Sequence, residues 1–255
     1  MTTVETRPTD TSIGVAPPLA VRLANVVRLH LANPWTPIII PTLILAVIFL
    51  ANLAIWNLIA YNTGNEDLSN VNNGGIAFVA IYMLVVATQT MNSTFPFALG
   101  YGVTRRDFYL GSSALFLMLS AGYAAGITVF ALIERATSGW GLNASFFAPI
   151  YLGDLNAAEF FWVYFTLLVF FFFLGAATAA VYVRWRTTGM LVFFGGLLAI
   201  IIASIWLLSI TDSFGAVGQF FVSAGLLGSH SWSLAVSALM AIAGYALLRR
   251  ATPRN

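Results

Sequence analysis

The sequence has no cysteine and no lysine, only two histidines, and few charges of either sign, with 8% of its 255 residues being Asp, Glu or Arg. Without cysteine there are no disulfides, thiolate metal sites, iron–sulfur clusters or cysteine nucleophiles. Without lysine there is no Walker-A phosphate loop, no kinase-type phosphate lysine and no Schiff base, so ATP hydrolysis by this chain is not expected. An all-arginine basic set is also what a codon bias would leave. Two histidines with no carboxylate at metal spacing give no zinc or haem site. A soluble domain carries about 25% charged residues, so the scarcity of charge also excludes an ordinary globular chain.

What is present is hydrocarbon. Some 60% of the residues are hydrophobic, and 21 phenylalanines and 7 tryptophans supply lipid-facing and interfacial surface. A net charge of +2 does not point to nucleic acid. The composition predicts an all-α polytopic membrane protein. Residues 1–18, rich in Thr, Pro, Asp and Glu, read as a disordered cytoplasmic tail and not a signal peptide. Residues 19–250 read as a single transmembrane domain, and 251–255 as a second cytoplasmic tail. From Leu19 to Asn33 apolar residues recur at helical spacing, with Arg22, Asn25 and Arg28 elsewhere on the wheel, which predicts a helix in the interface plane. His30 on this helix reads as a polar tip reaching the headgroup boundary.

Six stretches are long enough to span a hydrocarbon core of about 30 Å: approximately 36–60, 76–99, 108–133, 159–183, 189–210 and 230–248. Arg7, Arg22, Arg28, Arg105, Arg106, Arg184, Arg186, Arg249, Arg250 and Arg254 then fall on one side and only Arg135 on the other. The arginine-rich side is the cytoplasmic one, which puts both termini inside a bacterial inner membrane. The outer segment 61–75 reads as a solvated turn, and 139–157 as a loop rich in aromatics. Residues 214–228 are too apolar for a solvated loop and too short to span, which predicts a re-entrant or interfacial helix before the last span.

The predicted spans carry no ionisable side chain at mid-membrane; Asp107, Glu134, Glu159 and Asp212 sit at their ends, within reach of water. That disfavours an ion-coupled secondary transporter, which needs such a group. Ser112 and Ser113 lie about a membrane away from His230, which argues against an intramembrane protease. Polar residues concentrate in the second span, where Gln89, Asn92 and Ser93 share a face with Pro96. Amides in hydrocarbon need partners, so this face is expected to line a pathway, a wet cavity or a helix seam. Gly122-x-x-x-Gly126 and Gly175-x-x-x-Ala179 are spacings that permit close helix approach.

The most informative polar interruption is Phe97-Ala-Leu-Gly-Tyr-Gly-Val-Thr-Arg-Arg-Asp-Phe108. Gly100 and Gly102 allow a tight bend, Arg105 and Arg106 keep it out of hydrocarbon, and Phe108-Tyr109 re-enter the apolar phase. Read alone, the two arginines are equally a topology anchor. The sequence Gly102-Val103-Thr104-Arg105-Arg106-Asp107-Phe108, after a span ending Phe97-x-x-Gly100, resembles the six-span permease subunits of ATP-binding-cassette exporters (the ABC-2-type family). The resemblance covers roughly residues 19–250. It implies that Gly100 and Gly102–Phe108 form a coupling helix docking on a separate ATPase subunit present in two copies, which would bind ATP and Mg. It also implies a second permease chain, giving a homodimer, and efflux of a hydrophobic or amphipathic cargo such as a drug, antibiotic, peptide or lipid. A non-transporting sensor or immunity protein, its arginine loop meeting a kinase or anionic headgroups, is the other reading of the same residues.

Overall fold

The computed structural model describes residues 17–64, 67–68 and 75–250. Residues 1–16 and 251–255 of the expected tails, and 65–66 and 69–74 of the expected solvated turn, lie outside the described residues. The described residues form helices joined by short links, with no β-strand among them. Helix α1 is Leu19–Leu31; α2 is Ile40–Thr63, entered through a π-type turn at Trp35–Ile39; α3 is Ala77–Gln89. A second π-type turn, Thr90–Thr94, leads into α4, Phe95–Gly100, followed by α5, Arg105–Ala136, α6, Ala157–Ile210, and α7, Phe214–Arg249. Pro96 has no N–H for the carbonyl one turn back, and the chain widens into the π turn immediately before it.

Among the described residues, five helical stretches are long and apolar enough to cross a membrane: Trp35–Thr63, Ala77–Gly100, Arg105–Ala136, Ala157–Ile210 and Phe214–Arg249. The fourth and fifth predicted spans therefore share one helix, α6. It starts on a capping box, in which the Asn156 side chain accepts from Ala158 N and Glu159 N while Glu159 accepts from Asn156 N. At 54 residues a straight α6 would be about 81 Å long, far more than a bilayer needs. Arg186 breaks it, with φ 53° and ψ −146°. A Cβ at Gly189 would lie 3.5 Å from the Val181 carbonyl oxygen, although eight residues of continuous helix rise about 12 Å. The chain turns back on itself at Arg186, without the loop that its arginines suggested.

The contacts of α7 require that reversal. Trp162 Nε1 donates to Ser231 Oγ at 2.9 Å near one end, and Gly244 faces Ala177 near the other, so the first arm of α6 (157–185) and the last part of α7 run parallel. The arm 187–210 is the return, and none of its residues is buried. The apolar insertion at 214–228 is helical and forms the start of α7, set off from the last span by a non-helical break at Gly225, φ +66°. That left-handed conformation costs glycine little.

The core is built from α3, α5 and the first arm of α6. Phe116 of α5 stacks on Phe172 of α6 at 4.8 Å, and the guanidinium of Arg135 sits 4.5 Å over the Phe160 ring, so these two helices run antiparallel. The first arm of α6 meets α3 at Gly175, where a Cβ would collide with the Leu84 carbonyl oxygen and lie 3.0 Å from Ala87 Cβ. Of the two small-residue spacings, that at Gly175 brings helices together. The one at Gly122 and Gly126 does not, since nothing lies within 4 Å of where a side chain would begin at either. Gly175→Val is accordingly expected to cost about 1–3 kcal/mol by wedging α3 from α6, whereas Gly126→Val is expected to be close to neutral. Thermal unfolding in detergent checks this, and equal losses would contradict the packing described.

Candidate functional site

The link between α4 and α5 closes in four residues. Gly102 takes φ +80°, a conformation that residues with side chains rarely adopt. The amides of Tyr101, Gly102 and Val103 return to the last carbonyls of α4, with Gly102 N donating to Leu99 O at 3.0 Å and Val103 N to Ala98 O at 3.1 Å. Thr104 then caps α5, its hydroxyl accepting from Asp107 N at 3.1 Å.

The expected coupling residues divide into two sets. Gly100, Tyr101, Gly102, Thr104 and Arg106 are exposed, with Tyr101 at 77% and its ring tilted at 54° to that of Phe97, 4.7 Å away. Val103 and Arg105 are half-buried, and Arg105 donates to the Arg249 carbonyl at 2.9 Å, holding the last turn of α7. Asp107 and Phe108 face inward. The Phe108 ring is fully buried, 5.2 Å from the Phe95 ring. Asp107, expected within reach of water, is 4% exposed and pairs with Arg22 at 3.3 Å. A carboxylate one turn inside a helix start suits the dipole, and the α1 arginine supplies its counter-charge.

Helix α1 is docked on the first two turns of α5. Besides the Arg22–Asp107 pair, Val26 fills the space left by Gly111, where a Cβ would lie 2.5 Å from Val26 Cβ. His30 is not a polar tip at a headgroup boundary: its Nε2 is 2.9 Å from Ser112 Oγ, and its ring lies edge-on to Phe108 at 5.5 Å. Ser112 is fully buried beneath α1, so its hydroxyl is a fastening and not an accessible nucleophile. Sequence spacing gave no sign of this pair, because the partners are 82 positions apart. Between α1 and the link lies a groove of about 680 Å³, walled by Arg22, Asn25, Phe97, Tyr101 and Thr104 among others.

The polar face of the second span is mostly outward. Gln89, Ser93 and Pro96 are exposed, while Asn92 is half-buried with its Oδ1 buried and unpaired. Thr88 points to the first arm of α6, donating to Leu84 O at 2.9 Å with Gly175 O at 3.3 Å.

At the opposite end of the bundle, residues 137–156 form a packed cap instead of a loose loop, with Phe146 and Phe147 buried. Glu134, also expected within reach of water, is 2% exposed at its centre. Its carboxylate accepts from Trp140 Nε1 at 2.8 Å and from the backbone N–H groups of Phe146, Phe147 and Ala148 at 2.9–3.1 Å. Arg135 beside it donates to the carbonyls of Gly153 and Leu155. No cluster of three metal-ligating His, Asp or Glu side chains forms among the described residues. Comparison with protein-family models, curated proteins and solved structures finds no match to this chain.

Two measurements test these arrangements. Burial pushes the His30 imidazole down from 6.5 to about 4. An undocked α1 would restore its ordinary value, so between pH 6.5 and 4 the undocked form takes the proton first and docking weakens as pH falls. Proteolysis near α1 should therefore accelerate across that window, and His30→Gln should remove the histidine-dependent part. At the other end, Glu134→Gln places an NH₂ against N–H donors, and thermal unfolding should show a loss of about 2–4 kcal/mol.

Proposed function

We propose that this chain is the membrane-spanning permease subunit of an ATP-driven exporter, moving a hydrophobic or amphipathic substrate with energy supplied by a separate ATPase chain. The observation that carries the reading is the α4–α5 link. An exposed ridge of Tyr101, Gly102, Thr104 and Arg106 rests on residues fastened to three other elements: Arg105 to α7, Asp107 to α1, and Phe108 to α4. A push on that ridge reaches the helices through short, direct contacts instead of being absorbed in a long loop. The groove beside it offers the partner a concave surface walled by both aromatic and charged side chains.

In this proposal the chain crosses the bilayer six times, the two arms of α6 each being a crossing. Arg105, Arg106, Arg184, Arg186, Arg249 and Arg250 gather at the cytoplasmic end, and the cap around Glu134 is on the outer side. The exposed Gln89 and Ser93 are costly against lipid. A second copy of the chain meeting this face, or a wet pathway along it, relieves that cost, which favours a homodimer served by two ATPase copies with their ATP and Mg.

The division of the link into exposed and buried residues sharpens the test. Arg106→Glu with Tyr101→Ala changes the ridge but none of the contacts described beneath it. In a complex reconstituted with the nucleotide-binding subunit that co-purifies, the pair should abolish substrate-stimulated ATP turnover while leaving the unfolding temperature of the permease unchanged. Full turnover in that variant would overturn the docking assignment, and purification from native membranes without any ATPase would favour the sensor reading.

A further inference from the structure

The groove of about 680 Å³ between α1 and the α4–α5 link has two kinds of wall: Leu29, Val103 and the rings of Phe97 and Tyr101 are apolar, while Arg22 and Asn25 are polar. The ion pair in it leaves the arginine with donors to spare. Arg22 reaches Asp107 through Nη1 at 3.3 Å, its Nε meets no acceptor among the described residues, and its side chain remains 37% exposed. A guanidinium offers five donors in a planar fork that suits two carboxylate oxygens, and one long contact uses little of it. The surrounding charge is of one sign. Arg28, one turn along α1 from Asn25, and Arg106, next to Asp107, are both exposed, and Arg105 joins Arg249 beside them. Among the described residues no acid other than Asp107 lies at this end of the bundle, and Asp107 is already paired.

We propose that this groove receives an acidic side chain, Asp or Glu, carried beside an apolar one on the ATPase subunit, the carboxylate meeting Arg22 and the apolar neighbour lying against Phe97 and Leu29. Charge complementarity selects that occupant: a face with several exposed arginines and one paired acid matches a negative surface. Position selects a protein over a lipid. In the membrane placement above, Arg105 and Arg106 hold the link in water, and Tyr101, 77% exposed, is both a wall of the groove and part of the exposed ridge, so a subunit resting on the ridge covers the groove as well. The proposal rests on the docking reading and adds α1 to it. The subunit then grips α1 and the link together, and the Arg22–Asp107 pair becomes the middle of an acid–arginine–acid contact shared by both proteins.

The test exploits the absence of lysine. Asn25 is exposed and lines the groove, so Asn25→Lys places the chain's only side-chain amine there, and a carbodiimide joins that amine by an amide bond to a carboxylate touching it. The full chain with its co-purifying nucleotide-binding subunit is treated in nanodiscs of phosphatidylcholine and phosphatidylserine, with the unaltered chain as the blank and Arg106→Lys marking contact at the ridge. Mass spectrometry should find the Asn25→Lys peptide joined to an Asp or Glu of the subunit. Asn25→Glu, which sets a like charge at the groove, should raise the subunit concentration for half-maximal association about tenfold without changing the unfolding temperature of the permease. Products only with phosphatidylserine, or only with this chain's own acids, would overturn the proposal, as would undiminished association of Asn25→Glu. A joined Arg106→Lys beside an unjoined Asn25→Lys would overturn it and leave the docking reading standing. If neither variant is joined to a subunit that is bound, or no such subunit co-purifies, both readings fall together.

Discussion

The carboxylate of Asp107 is buried at the start of α5, and its counter-charge comes from another helix. Arg22 supplies it, which ties α1 to the first turn of α5 at the point where the chain has just emerged from α4. Such a pair adds little net stability, because the Asp107 carboxylate is withdrawn from water while the Arg22 side chain stays 37% exposed, but losing the arginine leaves the buried acid stranded. Its effect is positional. With Thr104 capping the same turn and Arg105 held to the end of α7, three helices that are distant in sequence share one short segment. That shared segment ties the turn carrying the exposed Tyr101 and Arg106 directly to the ends of α1 and α7.

The two ends of the molecule solve the problem of buried polarity differently. At the α5 start, charge meets charge across two helices. At the α5 end, the Glu134 carboxylate is surrounded by backbone N–H groups and an indole, so the cap is organised by hydrogen bonds to a single acid and not by an ion pair. The run Ser138 to Asn143, with Ser138, Gly139, Trp140, Gly141 and Asn143 at positive φ, is the backbone detour that brings Trp140 back to that carboxylate. Four amide and indole donors offset the strain of those conformations.

Long apolar helices, their approximate limits and the bend at Gly102 were legible in the sequence because each rests on local chemistry: hydropathy over twenty residues, or a glycine flanked by arginines. The helix at Leu19–Leu31 was legible for the same reason. Its docking was not, since Val26 against Gly111 and His30 against Ser112 join segments some eighty residues apart, and no periodicity encodes such a meeting. The arginines around 184–186 read as a loop, yet a single residue in a left-handed conformation at Arg186 achieves the reversal, because dihedral angles at one position can replace a loop wherever the helices on either side need not pack tightly. Glu134 and Asp107 read as wet because acids near span ends usually are. Tertiary donors gathered from later in the chain, or a cation from earlier in it, overrode that expectation.

The hydrogen-bond donors that Glu134 receives come from Trp140 and from residues 146–148, all of them after it in the chain. During synthesis the acid is therefore made before anything that can satisfy it, and it stays unpaired until the residues up to Ala148, fourteen positions on, have folded back onto it. The cap closes late. The segment between α5 and α6 thus folds onto an acid already in place, and the burial of that acid is complete only with the last of its donors, the Ala148 amide.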